Sequence, residues 1–159
     1  MIWLDISKLE DKISKNELSD KDGFNYVLAF FILSALTIDS GLQYENMWIK
    51  YLNCFLSVLI TIWGLNRAYK ANDEIDGKDF FKRFFAINWV IGMRMLFAIL
   101  ILSFILGMVI GIISLARSGN YIDTKPIKDL IITIFVPLFE VSYYILVINS
   151  IRRLKPITE

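Results

Sequence analysis

The stretch FFAINWVIGMRMLFAILILSFILGMVIGIISLA, residues 84–116, decides the fold. Its 33 residues carry one charge, Arg94. As a helix it would be about 50 Å long, against a hydrocarbon core of about 30 Å. Met95–Leu115 alone makes a full span, so the surplus belongs at the end that holds Arg94. Arg94 then lies at the inner edge of the bilayer, where a basic side chain reaches the headgroups. The segment FFKRFFAINWVIGM, residues 80–93, is either an interfacial helix or an extension of the span.

Three more apolar tracts flank this one. Gly23–Ile38 is uncharged and lies between Asp22 and Asp39; Trp48–Asn66 is interrupted only by Lys50; Leu130–Ile151 contains Pro137 and Glu140. With 56% of 159 residues hydrophobic, the chain reads as an all-α integral membrane protein. The expected architecture is a bundle of four transmembrane helices at about 23–40, 48–66, 84–116 and 130–151. Residues 1–22 precede it as an amphipathic segment and residues 152–159 follow as a tail.

Basic residues set the orientation. The N-terminal segment, the connection 67–83 and the C-terminal tail together hold twelve Lys and Arg, from Lys8 to Lys155. The opposite side holds four, Lys50, Arg117, Lys125 and Lys128. Both termini are therefore expected in the cytoplasm. The excess of Lys over Arg, 11 to 6, points to an AT-rich bacterial gene and so to the inner membrane. The N-terminus is no signal peptide, because acids and lysines are mixed throughout it. Ile2, Ile6, Leu9 and Ile13 instead form the stripe of an amphipathic helix, lying on the membrane, on the bundle or in a partner's groove.

Polar residues inside the spans are the candidate functional groups. Asn53, Ser57 and Thr61 recur every four residues in the second span, on a face extended by Lys50 and Gly64. Such a face binds a neighbouring helix or lines a wet path, because unsatisfied polar groups are costly in lipid. Ser103, Gly107, Gly111 and Ser114 place small residues along one face of the third span, where helix backbones can approach closely within the chain or between copies. In the last span Thr133, Pro137, Glu140 and Tyr144 share a face, and Pro137 is expected to kink the helix.

Glu140 lies about ten residues, or roughly 15 Å, from the outer end, near the bilayer midplane. Arg94 is more than about 15 Å away along the membrane normal, too far for an ion pair. Glu140 is thus expected to face the Asn53–Ser57–Thr61 stripe. It is then a neutral acid bonded to a neighbouring helix, a proton or cation site, or a contact to an embedded partner.

Several classes of function are disfavoured. The chain has no His and one Cys, which removes the common zinc and Ser-His-Asp sites and any internal disulfide. Cys54 reads as a packing residue. The acids of ANDEIDGKD, residues 71–79, lack the spacing of a calcium loop and read as a solvated turn. No P-loop is present. A net charge of +1 argues against nucleic acid as the main partner. No cofactor, metal or catalytic residue is expected.

Two readings remain. The first is a homo-oligomeric, channel-like subunit with Glu140, Asn53, Ser57, Thr61 and Tyr144 near its path, a type compatible with an effector of bacterial defence. The second is a non-conducting anchor or regulator, such as an immunity protein, that docks a cytosolic partner through residues 67–94, with Arg83, Trp89 and Arg94, and through the N-terminal helix.

Overall fold

A computed structural model describes residues 2–37, 46–116 and 125–154. Five helices follow one another: α1 (Ile6–Ser14), α2 (Asp20–Thr37), α3 (Met47–Asp73), α4 (Phe80–Ala116) and α5 (Lys125–Arg152). Residues 38–40 of the expected first span and 155–159 of the expected tail lie outside the described residues.

Local chemistry sets the helix ends. Asp5 caps α1 by accepting the Lys8 N–H at 3.1 Å, and Asn16, at φ 56°, turns the chain away just past its end. Asn46 caps α3 in the same way, accepting the Trp48 N–H at 3.0 Å. The α3–α4 turn uses two left-handed positions, Gly77 (φ 66°) and Asp79 (φ 51°). Within it the Asn72 carbonyl collects the N–H groups of Ile75, Asp76 and Gly77, so backbone groups freed at the helix end are satisfied. The stretch 80–93 joins the apolar run 94–116 as one continuous helix, α4.

α3 packs chiefly on α5, and α2 on α4, while α4 and α5 join the two pairs. The α3–α4 turn, α1, the start of α2 and the end of α5 meet at one end of the bundle, here termed the capped end. Lys82 of α4 binds Asp20 at 3.1 Å, and Ser150 of α5 donates to Glu10 of α1 at 2.6 Å. The apolar stripe of α1 is spent here: Ile6, Leu9 and Ile13 are buried against α4 and α5. The core sits at this end, around Leu9, Tyr26, Ile87, Val90, Val147 and Ile151. Trp89 belongs to it, with its ring edge-on to Trp3 at 5.5 Å.

Beyond the cap the outward faces are apolar. Phe55, Leu59, Ile62, Leu100, Phe104, Ile112, Phe135 and Leu138 are all exposed, as surface facing lipid would be. Cys54 is also exposed on α3 and not packed inside. The chain is a multi-pass membrane protein.

The expected four spans reduce to three. Among the described residues, only the helices at Met47–Asp73, Phe80–Val109 and Thr133–Arg152 are long and apolar enough to cross a membrane. α2 falls short because its 18 residues include Asp20, Lys21 and Asp22 in the first turn. Those acids are drawn into the cap, Asp20 by Lys82 and Asp22 by Lys12. The remaining apolar part, Gly23–Thr37, is about 22 Å long, short of a hydrocarbon core of about 30 Å. An uncharged run in the sequence therefore overstated this helix as a span.

Candidate functional site

The α3–α5 contact is built on a face of small and polar residues. On α3, Asn53, Gly64, Ala68, Ala71 and Asn72 are buried. Gly64 lies directly under the ring of Tyr144, at a separation that leaves no room for a side chain. Ser57 sits two turns before Gly64, and its hydroxyl donates to Glu140 Oε1 at 2.6 Å. The two helices run in the same direction, since Ser57 meets Glu140 and Gly64 meets Tyr144 further along both.

Glu140 is only half satisfied. Its Oε2 is buried and accepts no hydrogen bond among the described residues. Asn53, one turn from Ser57 and 3% exposed, donates its Nδ2 to the Ile49 carbonyl at 3.2 Å. Its Oδ1 is likewise buried without a donor. Thr61 is half-buried on the same face. α5 continues through Pro137, one turn before Glu140. The intramembrane acid thus rests on the polar stripe of α3, with two oxygen atoms of the site left without donors.

The other side of Glu140 borders a cleft of about 320 Å³ between α2, α4 and α5, with Phe30, Leu33, Trp89, Phe139 and Tyr143 among its walls. The polar groups along it are few. The Tyr143 hydroxyl donates to the Asn88 side chain, and the buried Trp89 Nε1 has no acceptor among the described residues. No group of three or more His, Cys, Asp or Glu side chains converges among the described residues. Chemically, the site can hold a proton or a small cation at one carboxyl group enclosed by apolar surface.

The remaining candidates lie elsewhere. Arg83 is 2% exposed and forms a two-pronged ion pair with Asp76, at 2.6 and 2.8 Å, while also donating to Asn72 Oδ1 at 3.2 Å. Its charge is consumed within the turn. Periodicity treats residues 71–79 as solvated and misses this pair, because a left-handed turn folds Asp76 back over Arg83. Trp89 is buried as described, whereas Arg94 is exposed and donates its Nε to the Leu4 carbonyl. Ser103 is exposed, and a Cβ built at Gly107 meets nothing within 4 Å. Gly111 and Ser114 belong to α4, but their side chains lie outside the described residues.

Compared with known proteins, the chain matches no family model, no curated protein and no solved structure. Its function has to be argued from its own residues.

Proposed function

We propose that the chain is a channel-like membrane subunit that works as a homo-oligomer, with Glu140 as the protonatable group beside its path. The observation that carries this reading is the Ser57–Glu140 hydrogen bond, with the second carboxyl oxygen buried and without a donor among the described residues. A charged carboxylate in hydrocarbon costs several kcal/mol unless it is paired or wet. The Ser57 bond to Glu140 is therefore one that water can replace, and a contact with a closed and a wetted state makes a gate. Three spans enclose little space, so permeation calls for several copies. The exposed apolar faces of α3 and α4, with the small residues Ser103 and Gly107, give those copies a surface to meet on. The excess of basic residues in the segments around the capped end supports a cytoplasmic position for it, in a bacterial inner membrane.

The anchor reading is less well supported. The apolar stripe of α1, Arg83 and Trp89 are engaged within the chain, which leaves a partner the rings of Tyr69 and Phe81, Arg94 and the outer charged face of α1.

Liposome flux separates the two. Purified protein, reconstituted with a proton or potassium gradient, is expected to dissipate the gradient. Glu140→Gln keeps the Ser57 acceptor and removes the carboxylate, so the flux should fall. A wild-type protein that stays silent across pH and membrane potential, and is monomeric by native mass spectrometry, sinks the proposal.

A further inference from the structure

We infer that the capped end holds the phosphodiester of an anionic phospholipid between Arg94 and Arg153. A second cavity, of about 290 Å³, opens between α1, α4 and α5. Arg94 and Arg153 line it together with Glu10 and Ser150, and Met95, Ala98 and Leu146 supply its apolar wall. A charged rim above an apolar wall follows the polarity gradient of a bilayer interface. Basic pockets between membrane helices at such a level suit lipid headgroups.

The charges are arranged to receive an anion. The Nε of Arg94 is tied to the Leu4 carbonyl, which fixes the guanidinium at the rim while the residue stays exposed. Arg153 is exposed, lines the same cavity and takes part in none of the ion pairs among the described residues. Glu10 opposes them, but its Oε1 accepts the Ser150 hydroxyl at 2.6 Å, so it is held by a neutral donor and not by either arginine. Two guanidinium groups against one carboxylate leave a charge of +1. A phosphodiester carries −1 and offers the planar fork of arginine two acceptor oxygens. The apolar wall passes into the exposed apolar flanks of α4 and α5, where Leu146 and Ile101 lie open, which gives an acyl chain a continuous surface. That continuity favours a lipid over a water-borne phosphate. Because Leu4 and Glu10 flank the site, a bound headgroup would also hold α1 on the bundle.

Native mass spectrometry of the full chain in detergent tests this, with phosphatidylglycerol, phosphatidylethanolamine of the same acyl chains, or glycerol phosphate added separately. Wild type is expected to retain phosphatidylglycerol in preference to the other two. Arg94→Gln with Arg153→Gln should lower retention about tenfold or more, as expected for loss of charge-assisted contacts. Lys15→Gln, at a surface pair with Asp11, should leave it unchanged. Ala98→Trp fills the wall without touching charge and should also lower retention, an independent check should the double variant misfold. Equal retention of phosphatidylethanolamine overturns the charge argument. Equal retention of glycerol phosphate shows a site for soluble phosphate instead of lipid. Unchanged retention in folded variants places any bound lipid elsewhere.

Discussion

Gly64→Ala tests whether the α3–α5 contact is as close as described. A Cβ at this position would stand 2.7 Å from Tyr144 Cδ2 and closer still to Cγ and Cδ1. Ordinary contact begins near 3.4 Å, so the ring must retreat by about 0.7 Å at Cδ2 and by more at the other two atoms. Tyr144 cannot move alone, because its ring stands edge-on to Tyr143 at 5.5 Å, and Tyr143 is bonded to Asn88. Overpacking of this kind costs about 1–3 kcal/mol. Replacing Gly by Ala inside a helix returns about 1 kcal/mol through backbone entropy and propensity. The net expectation is a loss of up to about 2 kcal/mol in the wild-type background. In a Tyr144→Ala background Cγ and the whole ring are gone and the same change should stabilise by up to about 1 kcal/mol. Unfolding in mixed micelles of rising dodecyl sulfate content, followed by tryptophan fluorescence, reads both arms of the double-mutant cycle. If Gly64→Ala stabilises equally in both backgrounds, the helices are not in contact at this point and the register with Ser57 and Glu140 fails with it.

Two further outcomes concern the cap. Asp76→Asn leaves the Arg83 guanidinium, 3% exposed, without its charged partner, and should cost roughly 3–5 kcal/mol by the same unfolding assay. Arg83→Met combined with Asp76→Leu should recover most of that loss, since an apolar pair leaves no stranded charge; no recovery would mean that the turn needs the ion pair's geometry. The Lys12–Asp22 pair, at 2.7 Å, ties α1 to α2. Its hydrogen bond to Lys12 holds the Asp22 carboxyl below its ordinary 3.8, and the bond to Asp22 raises Lys12 above its ordinary 10.5. The clasp is therefore fully present between those two values. It is lost as pH falls through the lowered value of Asp22 or rises through the raised value of Lys12. Hydrogen exchange of the α1 amides, corrected for intrinsic rate, should quicken only outside that window. Asp22→Asn should remove the acidic limb, and a wild-type profile that rises between pH 5 and 8, a window chosen as the usual range of maximal stability, contradicts the assignment.

The parts legible in the sequence are those set by helical period. The α1 stripe of Ile6, Leu9 and Ile13 is visible as a spacing, and these residues are the ones buried. The Asn53–Ser57 face is visible because polar residues in a span must turn toward something. What each face meets is not encoded in period. The sequence leaves α1 free to lie on lipid, on the bundle or in a partner. It is the bond from the Ile2 N–H to the Tyr26 hydroxyl and that from Ser150 to Glu10 that draw it onto the bundle. The Asp76–Arg83 pair is hidden because it depends on Gly77 and Asp79 taking positive φ. The first span was overstated for a related reason. The uncharged run 23–38 is marginal in length for a span, and the residues that extend α2 at its start are charged and belong to the cap, where Asp20 and Asp22 have cationic partners.

These features divide the molecule into two parts with different demands. At the capped end, ion pairs, aromatic contacts and an apolar core enclose the helices, and the polar groups described there are mostly partnered. Along the membrane the helices share little core, and two buried polar atoms there, Asn53 Oδ1 and Glu140 Oε2, lack partners among the described residues, while Trp89 Nε1 is an exception within the cap. An unsatisfied buried acceptor costs about 1–3 kcal/mol. If stability alone shaped this region, apolar residues at both 57 and 140 would serve the contact better, since replacing both partners of a buried polar pair is close to neutral. The α3–α5 contact combines that unsatisfied acid with a glycine approach that fixes its register. Rigid positioning beside a destabilising group is the pattern expected where strain is retained for use. That makes Glu140, rather than the better-satisfied cap, the place to look for activity.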